Sequence, residues 1–380
     1  MKILILGTAH PFRGGLAAYN ERLALQFISE GVPAEIFTFT LQYPRIFFPG
    51  KTQFTDAEAP ARLKITRLFS SVNPFTWVKT GFRIRKMKPD ILIIKYWHPF
   101  MAPCFGTIIR IAARGKNRKT KGICIFDNVI PHEKSIIDRM LTSYFTAGID
   151  GAIVMSRSVA EDLSKFRVNL PVRFNPHPLY DNYGSLLSRE ESLRRLSLDE
   201  GNRYLLFFGF IRAYKGLDLL IDAFADPRLR GKNLKLIVAG EFYEDAAPYL
   251  LQVKKHHLDD DIIFYDRFIK EEEVSLFFSA CDLVVQPYRS ATQSGVTQIA
   301  YHFEKPMVVT DVGGLSEIVP HGRCGYVVAP EPETIAGSIN DFFSSGRKTS
   351  LVAGVREEKA KFTWDKLTDS IMTIYKEINQ

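Results

Sequence analysis

One stretch of the sequence combines small, hydroxylated and glycine residues at a spacing suited to binding phosphate. Residues 289–322 begin as a loop of small residues, continue into the apolar run Val296–Phe303 and the strand Met307–Thr310, and then reach Gly313–Gly314. This order predicts two helix N-termini near the carboxyl ends of parallel strands. Unpaired N–H groups and the positive end of the helix dipole attract phosphate there. An ordinary βα crossover packed with small residues has the same spacing, so the stretch alone leaves both interpretations open.

The elements that must position this stretch alternate between strands and helices along the whole chain. Alternation of this kind predicts an α/β protein whose parallel sheets are covered on both faces. Ser188 and Glu191 predict a capping box for one short helix. The predicted strands are Ile3–Leu6, Ala34–Thr40, Ile91–Tyr96, Gly122–Asn128 and Ala152–Met155 in the first half, and Tyr204–Phe208, Leu234–Ala239, Ile262–Tyr265, Leu283–Gln286 and Met307–Thr310 in the second. The predicted helices include Leu217–Phe224, Glu271–Ala280 and Trp364–Ile378.

The first strand leads into the glycine loop Gly7–Gly15 and then into a helix. That order is typical of the start of a nucleotide-binding α/β domain. Because the loop lacks a G-x-G-x-x-G pattern, dinucleotide binding is not indicated.

Length and composition are those of a globular protein with two domains. The chain has 380 residues, of which 46% are hydrophobic and 24% charged, and its longest apolar runs have the length of strands. The opening segment Met1–Gly7 is too short for a signal peptide, and the four cysteines show no metal or redox spacing. We therefore expect a cytoplasmic protein, with a domain boundary between residues 177 and 178.

The charge is distributed unevenly between the two halves. Residues 1–177 carry 26 Lys+Arg against 12 Asp+Glu, a net charge of +14, and the remainder carries 24 against 30, a net charge of −6. A basic half suggests an anionic partner. Because we find no nucleic-acid-binding module, an anionic membrane surface is favoured over nucleic acid.

Two segments of the basic half are candidates for contact with a membrane or with an acceptor at its surface. The loop Tyr43–Phe54 contains Phe47 and Phe48, and the basic helix Trp77–Lys88 interleaves aromatic residues with cations. A packed loop and a solvated helix face are the simpler interpretation. Burial of apolar side chains and attraction to anionic lipid are the alternative. The cations concerned are Arg83, Arg85, Lys86 and Lys88.

Several motifs together resemble the retaining GT-B glycosyltransferases of family 4. They are the turn Gly209–Gly216, the stretch 289–322, the loop Arg13-Gly14-Gly15, the strand end Phe264–Phe268, the turn Gly313-Gly314-x-x-Glu317 and the Trp364 helix. The resemblance spans essentially the whole chain. It implies two Rossmann-like domains facing across a cleft, residues 1–177 and 178–363, with a C-terminal helix, 364–380, that crosses back to the first domain.

The resemblance also implies a set of site residues. Arg212 and Lys215, at a strand-to-helix turn, would clamp the diphosphate of a nucleotide sugar, and we expect Lys215 to be an exposed loop lysine. Negative charge grows on this leaving group as the sugar departs, and fixed cations stabilise it without a metal ion. No cofactor is therefore expected. The implied nucleotide-sugar-binding residues are Gly14, Gly15, Gly209, Arg212, Lys215, Phe268, Ser290, Gln293, Ser294, Gly295, Val296, Thr297 and Gln298.

The sequence departs from the family pattern at several of these positions. The two glutamates of an E-x7-E pattern correspond to Ser290 and Gln298, and Gln298 can still hydrogen-bond a ribose. The usual arginine after Gly209 is Phe210. At the sugar end the usual histidine corresponds to Asp127, so we assign Asp127 and His132 to that end as catalytic residues with Arg212 and Lys215. His98 is a third candidate.

The expected function is retaining transfer of a hexose from a UDP- or GDP-sugar to a lipid-linked or saccharide acceptor. The protein would act in the synthesis of cell-surface polysaccharide or glycolipid, peripherally on the cytoplasmic face of the membrane. One alternative is a GT-B relative that does not glycosylate, such as a sugar-nucleotide epimerase. Another is a two-lobed sugar-binding protein, which the absence of a signal peptide disfavours.

Overall fold

A computed structural model of the chain describes residues 1–44, 52–113, 119–129 and 136–380. These residues form two compact units. The first unit contains Met1–Pro176 together with Trp364–Gln380, and the second contains His177–Thr363. Each unit is an α/β domain built on its own parallel sheet, as the alternation of strands and helices predicted.

The described part of the first unit contains a seven-stranded sheet in the order β3-β2-β1-β4-β5-β6-β7. Its strands are β1 Ile3–Leu6, β2 Ala34–Leu41, β3 Lys64–Ser70, β4 Ile91–Tyr96, β5 Lys121–Phe126, β6 Gly151–Val154 and β7 Val172–Phe174. The helices are α1 Gly15–Ser29, α2 Pro74–Met87, α3 Ala102–Ala112, α4 Ile136–Thr146 and α5 Arg157–Ser164. The sheet is fully buried at its centre, where β1 and β4 pair in register from Ile3 and Ile91.

The second unit repeats this plan with a six-stranded sheet in the order β10-β9-β8-β11-β12-β13. Its strands are β8 Arg203–Phe208, β9 Leu234–Ala239, β10 Ile262–Tyr265, β11 Leu283–Gln286, β12 Met307–Thr310 and β13 Gly325–Val328. Its helices are α6 Arg189–Leu196, α7 Leu217–Phe224, α8 Ala247–Lys255, α9 Glu271–Ala280, α10 Gly295–His302, α11 Leu315–Ile318, α12 Pro332–Ser344 and α13 Lys348–Lys359.

In both sheets the strand order reverses beside the first strand of the unit. β1 lies between β2 and β4, and β8 lies between β9 and β11. Loops after neighbouring strands diverge at such a reversal, so ligands of open α/β sheets bind outside the carboxyl ends of these strands. From the topology we therefore expect a ligand site at the carboxyl edge of each sheet.

The last helix, α14 Trp364–Glu377, packs on the first unit. The Trp364 ring lies 5.1 Å from the ring of Tyr19 on α1. Ile374 fills the space above Gly151, where an added Cβ would lie 2.3 Å from its Cγ2 atom. The glycine at this position therefore lets α14 approach the sheet closely.

The structure corrects several element boundaries. The basic helix begins at Pro74 rather than Trp77, because the N-cap Asn73 accepts a hydrogen bond from the Phe75 N–H. Strands β3, β7 and β13 were not predicted; all three are edge strands, and β3 and β7 are of mixed polarity. Of the predicted capping box one half is confirmed, with the Glu191 N–H donating to the Ser188 hydroxyl. The Glu191 carboxylate instead accepts hydrogen bonds from Arg194 and Arg195.

No helix in the described ranges is long and apolar enough to cross a membrane.

The packing of α14 predicts the cost of truncating its buried face. Ile374 is fully buried, so Ile374→Ala should lower the free energy of unfolding of the first unit by about 2–5 kcal/mol. Urea denaturation measures this change. Lys376→Ala, on the exposed face of the same helix, is the control and should stay within about 0.5 kcal/mol of wild type. Equal effects of the two substitutions would contradict the packing.

Candidate functional site

The turn after β8 carries the two cations that the sequence assigns to a diphosphate. Gly209 follows the strand with φ 93°, a left-handed conformation that favours glycine. The short 3-10 turn Ala213–Lys215 then leads into α7. A Cβ at Gly209 would lie 3.0 Å from the Nζ atom of Lys215. The ammonium group therefore lies directly against the glycine.

Lys215 is buried, so the expectation of an exposed loop lysine was wrong. Only 8% of the residue is accessible, and its Nζ atom lies 5.7 Å from the centre of the Tyr288 ring. Burial lowers the pKa of Lys215 to about 7, and the charge of nearby Arg212 adds to the shift. Within the described residues, no carboxylate forms an ion pair with Lys215. A buried ammonium group in this state favours binding of an anion.

Arg212 is the second cation and lies at the exposed start of the turn. Its guanidinium group is 5.0 Å from the centre of the Tyr243 ring, a cation–π contact. The backbone N–H of Ala213 donates to Glu244 at 2.8 Å. Residues after β9 therefore support the turn after β8. Tyr243 and Glu244 were not identified from the sequence, because their proximity to Arg212 depends on strand pairing.

Phe210, which replaces the expected arginine, packs into an aromatic cluster. Its ring centre lies 4.2 Å from that of Tyr243 and 6.1 Å from that of Phe268. All three side chains are half-buried and follow neighbouring strands. Phe210 therefore contributes aromatic packing where the family pattern has a cation. Arg212 is the cation that acts on Lys215 from this turn.

An ion pair connects the loop after β11 to this turn. Arg289 donates to both carboxylate oxygens of Asp218 on α7, each at 2.6 Å. The Arg289 N–H also donates to the Tyr214 carbonyl at 2.7 Å. Ser290, the first of the predicted loop residues, is therefore held beside the turn that carries Arg212 and Lys215. The bidentate geometry makes this pair stronger than an ordinary surface ion pair.

The loop after β11 also packs closely against the turn after β12. A Cβ at Gly313, where φ is 53°, would lie 1.5 Å from the carbonyl oxygen of Ala291. Only glycine permits this approach.

Helix α10 begins at Gly295 and places the remaining predicted residues at its N-terminus. Ser294 and Thr297 donate through their hydroxyl groups to the Oε1 atom of Gln286, at 2.7 and 3.0 Å. Both hydroxyls therefore organise the loop internally. Gln298 is fully buried, and no group in the described part of the chain hydrogen-bonds its amide oxygen or nitrogen. An unpaired buried amide has unused capacity for a polar ligand.

The predicted residues of the second unit thus gather at one edge of its sheet. They follow β8, β10 and β11, which end at the same edge of a parallel sheet. The members are Gly209, Arg212, Lys215, Phe268, Ser290, Gln293, Ser294, Gly295, Val296, Thr297 and Gln298.

Those predicted sugar-end and glycine-loop residues of the first unit that the structure describes lie at the carboxyl edge of its own sheet. Gly14 has φ 98° and precedes Gly15, the first residue of α1. Asp127 directly follows β5, is buried, and accepts a 2.6 Å hydrogen bond from Lys95. His98 caps a short turn by accepting from the Phe100 N–H. His132 lies outside the described residues.

Lys95 was not identified from the sequence, although it interrupts the apolar run of β4. Burial lowers its pKa, and the Asp127 carboxylate opposes that shift.

The predicted membrane-binding segment is described in part. Arg83, Arg85, Lys86 and Lys88 are all exposed. Beside them Phe75 is 86% and Phe82 56% exposed. Phe47 and Phe48 lie outside the described residues. The basic helix therefore presents large apolar side chains together with cations.

Comparison with known proteins agrees with this architecture. The family model described as "Glycosyl transferases group 1" matches residues 188–357. An uncharacterized glycosyltransferase of Methanocaldococcus jannaschii is 26% identical over 251 residues, which cover 65% of each chain. The O-antigen chain mannosyltransferase C of Escherichia coli is 22% identical over 379 residues, 95% of this chain and 94% of the relative. The chain spans about half to two thirds of the first curated relatives it matches.

A solved structure shows the same fold over the full length. Anabaena Alr3699/HepE, in complex with UDP-glucose, superimposes with a TM-score of 0.71 at 17% identity, covering 100% of this chain and 98% of that one. The chain therefore has the GT-B fold of glycosyltransferases. Its residues 188–357, within the second unit, are similar to the group 1 glycosyl transferases.

The buried Lys215 predicts a pH dependence of stability. Its folded-state pKa of about 7 lies below the ordinary value of 10.5, so the unfolded chain binds more protons between these values. The desolvation penalty is therefore complete below pH 7, declines as pH rises and is absent above 10.5. We expect Lys215→Met to raise the free energy of unfolding near pH 6 and to have a smaller effect near pH 9, measured by urea denaturation.

Lys235→Met is the matched control, because Lys235 is partly accessible and paired with Asp261. An effect of Lys215→Met that is the same at both pH values would contradict the prediction.

Proposed function

We propose that the protein is a retaining hexosyltransferase that uses a UDP- or GDP-sugar. The acceptor in this proposal is a lipid-linked or saccharide molecule in the synthesis of cell-surface polysaccharide or glycolipid. The observation that carries the proposal is Lys215, a buried cation with Arg212 beside it and no carboxylate paired with it in the described residues. The family match of the second unit and the mannosyltransferase among the relatives support it.

The two cations suit a diphosphate leaving group. As the bond to the sugar breaks, negative charge accumulates on the bridging oxygen and spreads over the phosphates. Arg212 and Lys215 are fixed by the turn after β8, so little reorganisation is needed when this charge develops. We propose on this ground that the cations replace a metal ion in the reaction. The UDP-glucose bound to the Anabaena protein supports a nucleotide-sugar donor.

Binding of the donor would also change the protonation of Lys215. With a pKa of about 7, the free lysine is only partly protonated at neutral pH. A diphosphate beside it favours the charged form. The lysine would therefore take up a proton on binding, and affinity would decrease as pH rises above 7.

We propose that retention results from attack by the acceptor on the face that the diphosphate leaves. In the proposed mechanism an oxygen of the departing diphosphate takes the acceptor proton. Asp127 and His132 act as hydrogen-bond partners of the sugar rather than as covalent nucleophiles. Gln298, with its buried and unpaired amide, is proposed to hydrogen-bond the ribose.

We further propose that the first unit binds the cytoplasmic surface of an anionic membrane. The excess of 26 Lys+Arg over 12 Asp+Glu in residues 1–177 supports this location. So does α2, where exposed Phe75 and Phe82 accompany the basic residues. Each Lys or Arg near an anionic surface contributes about 1 kcal/mol. An acceptor with a lipid tail would then remain in the bilayer during transfer.

Substitution of Lys215 tests the proposed donor site. Lys215→Met keeps the apolar stem but removes the charge, and should reduce transition-state stabilisation by about 2–4 kcal/mol. Binding of UDP and GDP is measured by calorimetry, and turnover by release of the nucleoside diphosphate from a UDP- or GDP-hexose. Retention is read from the anomeric configuration of the product by NMR.

Lys235→Met again serves as the control and should bind and turn over the donor like wild type. Turnover of Lys215→Met within about threefold of wild type would contradict the assignment. Loss of turnover in EDTA would contradict the metal-independent mechanism.

Charge reversal on α2 tests membrane binding. The variant R83E/R85E/K86E/K88E should sediment less with anionic vesicles than wild type, because the attraction to anionic lipid is lost. Wild-type binding should weaken as salt rises, since charges are screened within roughly 8 Å at physiological ionic strength.

The matched control reverses four exposed cations of the second unit and should bind vesicles like wild type. These cations are Arg230, Lys254, Lys255 and Lys270. If the wild-type protein does not bind anionic vesicles even at low salt, an anionic membrane is excluded as its partner.

A further inference from the structure

A charged pair lies at the centre of the first sheet, in a position that would suit apolar residues. Lys95 belongs to β4, all six residues of which are buried. Its side chain is 2% accessible, and its Nζ atom lies 2.6 Å from the Oδ1 atom of Asp127. Asp127 directly follows β5, the strand that pairs with β4. The pair therefore lies where two central strands reach the carboxyl edge.

The surroundings of Lys95 fix the direction of its ammonium group. Nζ lies 3.5 Å from the centre of the Tyr19 ring, a close cation–π contact at a buried site. Tyr19 itself is fully buried and packs against Trp364. The lysine is thus held between the aromatic ring and the carboxylate, so the carboxylate is held as well.

Stability alone is a weak reason for such a pair. Removing two charges from water costs several kcal/mol for each ion, and a buried pair often contributes no more than apolar residues of similar volume. The rest of β4 consists of apolar residues and Tyr96. An apolar side chain would therefore fit this strand at no greater cost in folding energy.

We propose that Lys95 is a positioning residue for sugar transfer. It fixes the Asp127 carboxylate at the end of β5, so that the carboxylate can hydrogen-bond a hydroxyl group of the transferred sugar. This inference rests on the proposed function. A displacement of about 1 Å at a reacting group can reduce turnover about 100-fold, so loss of Lys95 should affect the reaction through Asp127.

A double-mutant cycle tests the inference in the full-length protein. The variants are Lys95→Met, Asp127→Asn and the double variant K95M/D127N. Each single substitution leaves one buried charged group without its partner, so both should lower Tm. The double variant removes both charges and should recover much of the lost Tm. Its kcat should remain as low as that of Asp127→Asn.

Turnover is measured as release of nucleoside diphosphate from the UDP- or GDP-hexose that wild type accepts. We expect both single variants to lower kcat by about 10- to 100-fold, with the donor KM within threefold of wild type. Their effects on kcat should not multiply in the double variant, because Lys95 acts through Asp127.

Lys305→Met controls for the loss of a half-buried, hydrogen-bonded lysine outside the proposed site. Lys305 lies in the second unit and donates to the backbone carbonyls of Ser279 and Cys281. Its substitution should lower Tm and leave kcat near the wild-type value.

Two results would overturn the inference while leaving the proposed function intact. One is wild-type kcat in Lys95→Met, and the other is recovery of both Tm and kcat in the double variant, which would make the pair purely structural. Wild-type protein that binds neither UDP nor GDP and releases neither from its sugars would refute the proposed function, and the inference with it.

Discussion

Desolvation of an ammonium group is the constraint on which the second unit depends. Lys215 is buried and no carboxylate pairs with it in the described residues, so its pKa decreases to about 7. A group in this state destabilises the free protein and favours any anion that can reach it. The surrounding structure makes the arrangement possible. Gly209 leaves room for the ammonium group, and Glu244 binds the backbone of the turn.

The contacts that support the turn with Arg212 and Lys215 come from loops after several different strands. The Arg289–Asp218 ion pair fixes the loop after β11 to α7, and Gly313 fixes it to the turn after β12. Neither contact involves the cations directly. They connect the turn that carries Arg212 and Lys215 to the loop before α10, and both segments lie at the same edge of the sheet.

The first unit also contains a buried lysine, but there the charge is paired with a carboxylate. Lys95 is buried as deeply as Lys215, but Asp127 neutralises it at 2.6 Å. A neutralised pair does not attract an anion. Its effect is to orient the carboxylate at the strand end, which suits hydrogen bonding to hydroxyl groups. The two buried lysines therefore indicate different roles at the two carboxyl edges.

The sequence by itself determined the α/β class, most strands, the glycine turns and the position of Arg212 and Lys215. These features depend on local patterns: apolar runs, glycine at positive φ, and a cap such as Ser188. Edge strands such as β3 were not predictable, because their polarity resembles that of loops. Only the tertiary structure decided that Lys215 is buried, that Tyr243 supports Arg212, and that Lys95 pairs with Asp127. The physical reason is that burial and charge pairing depend on neighbours from other strands, which strand order brings together.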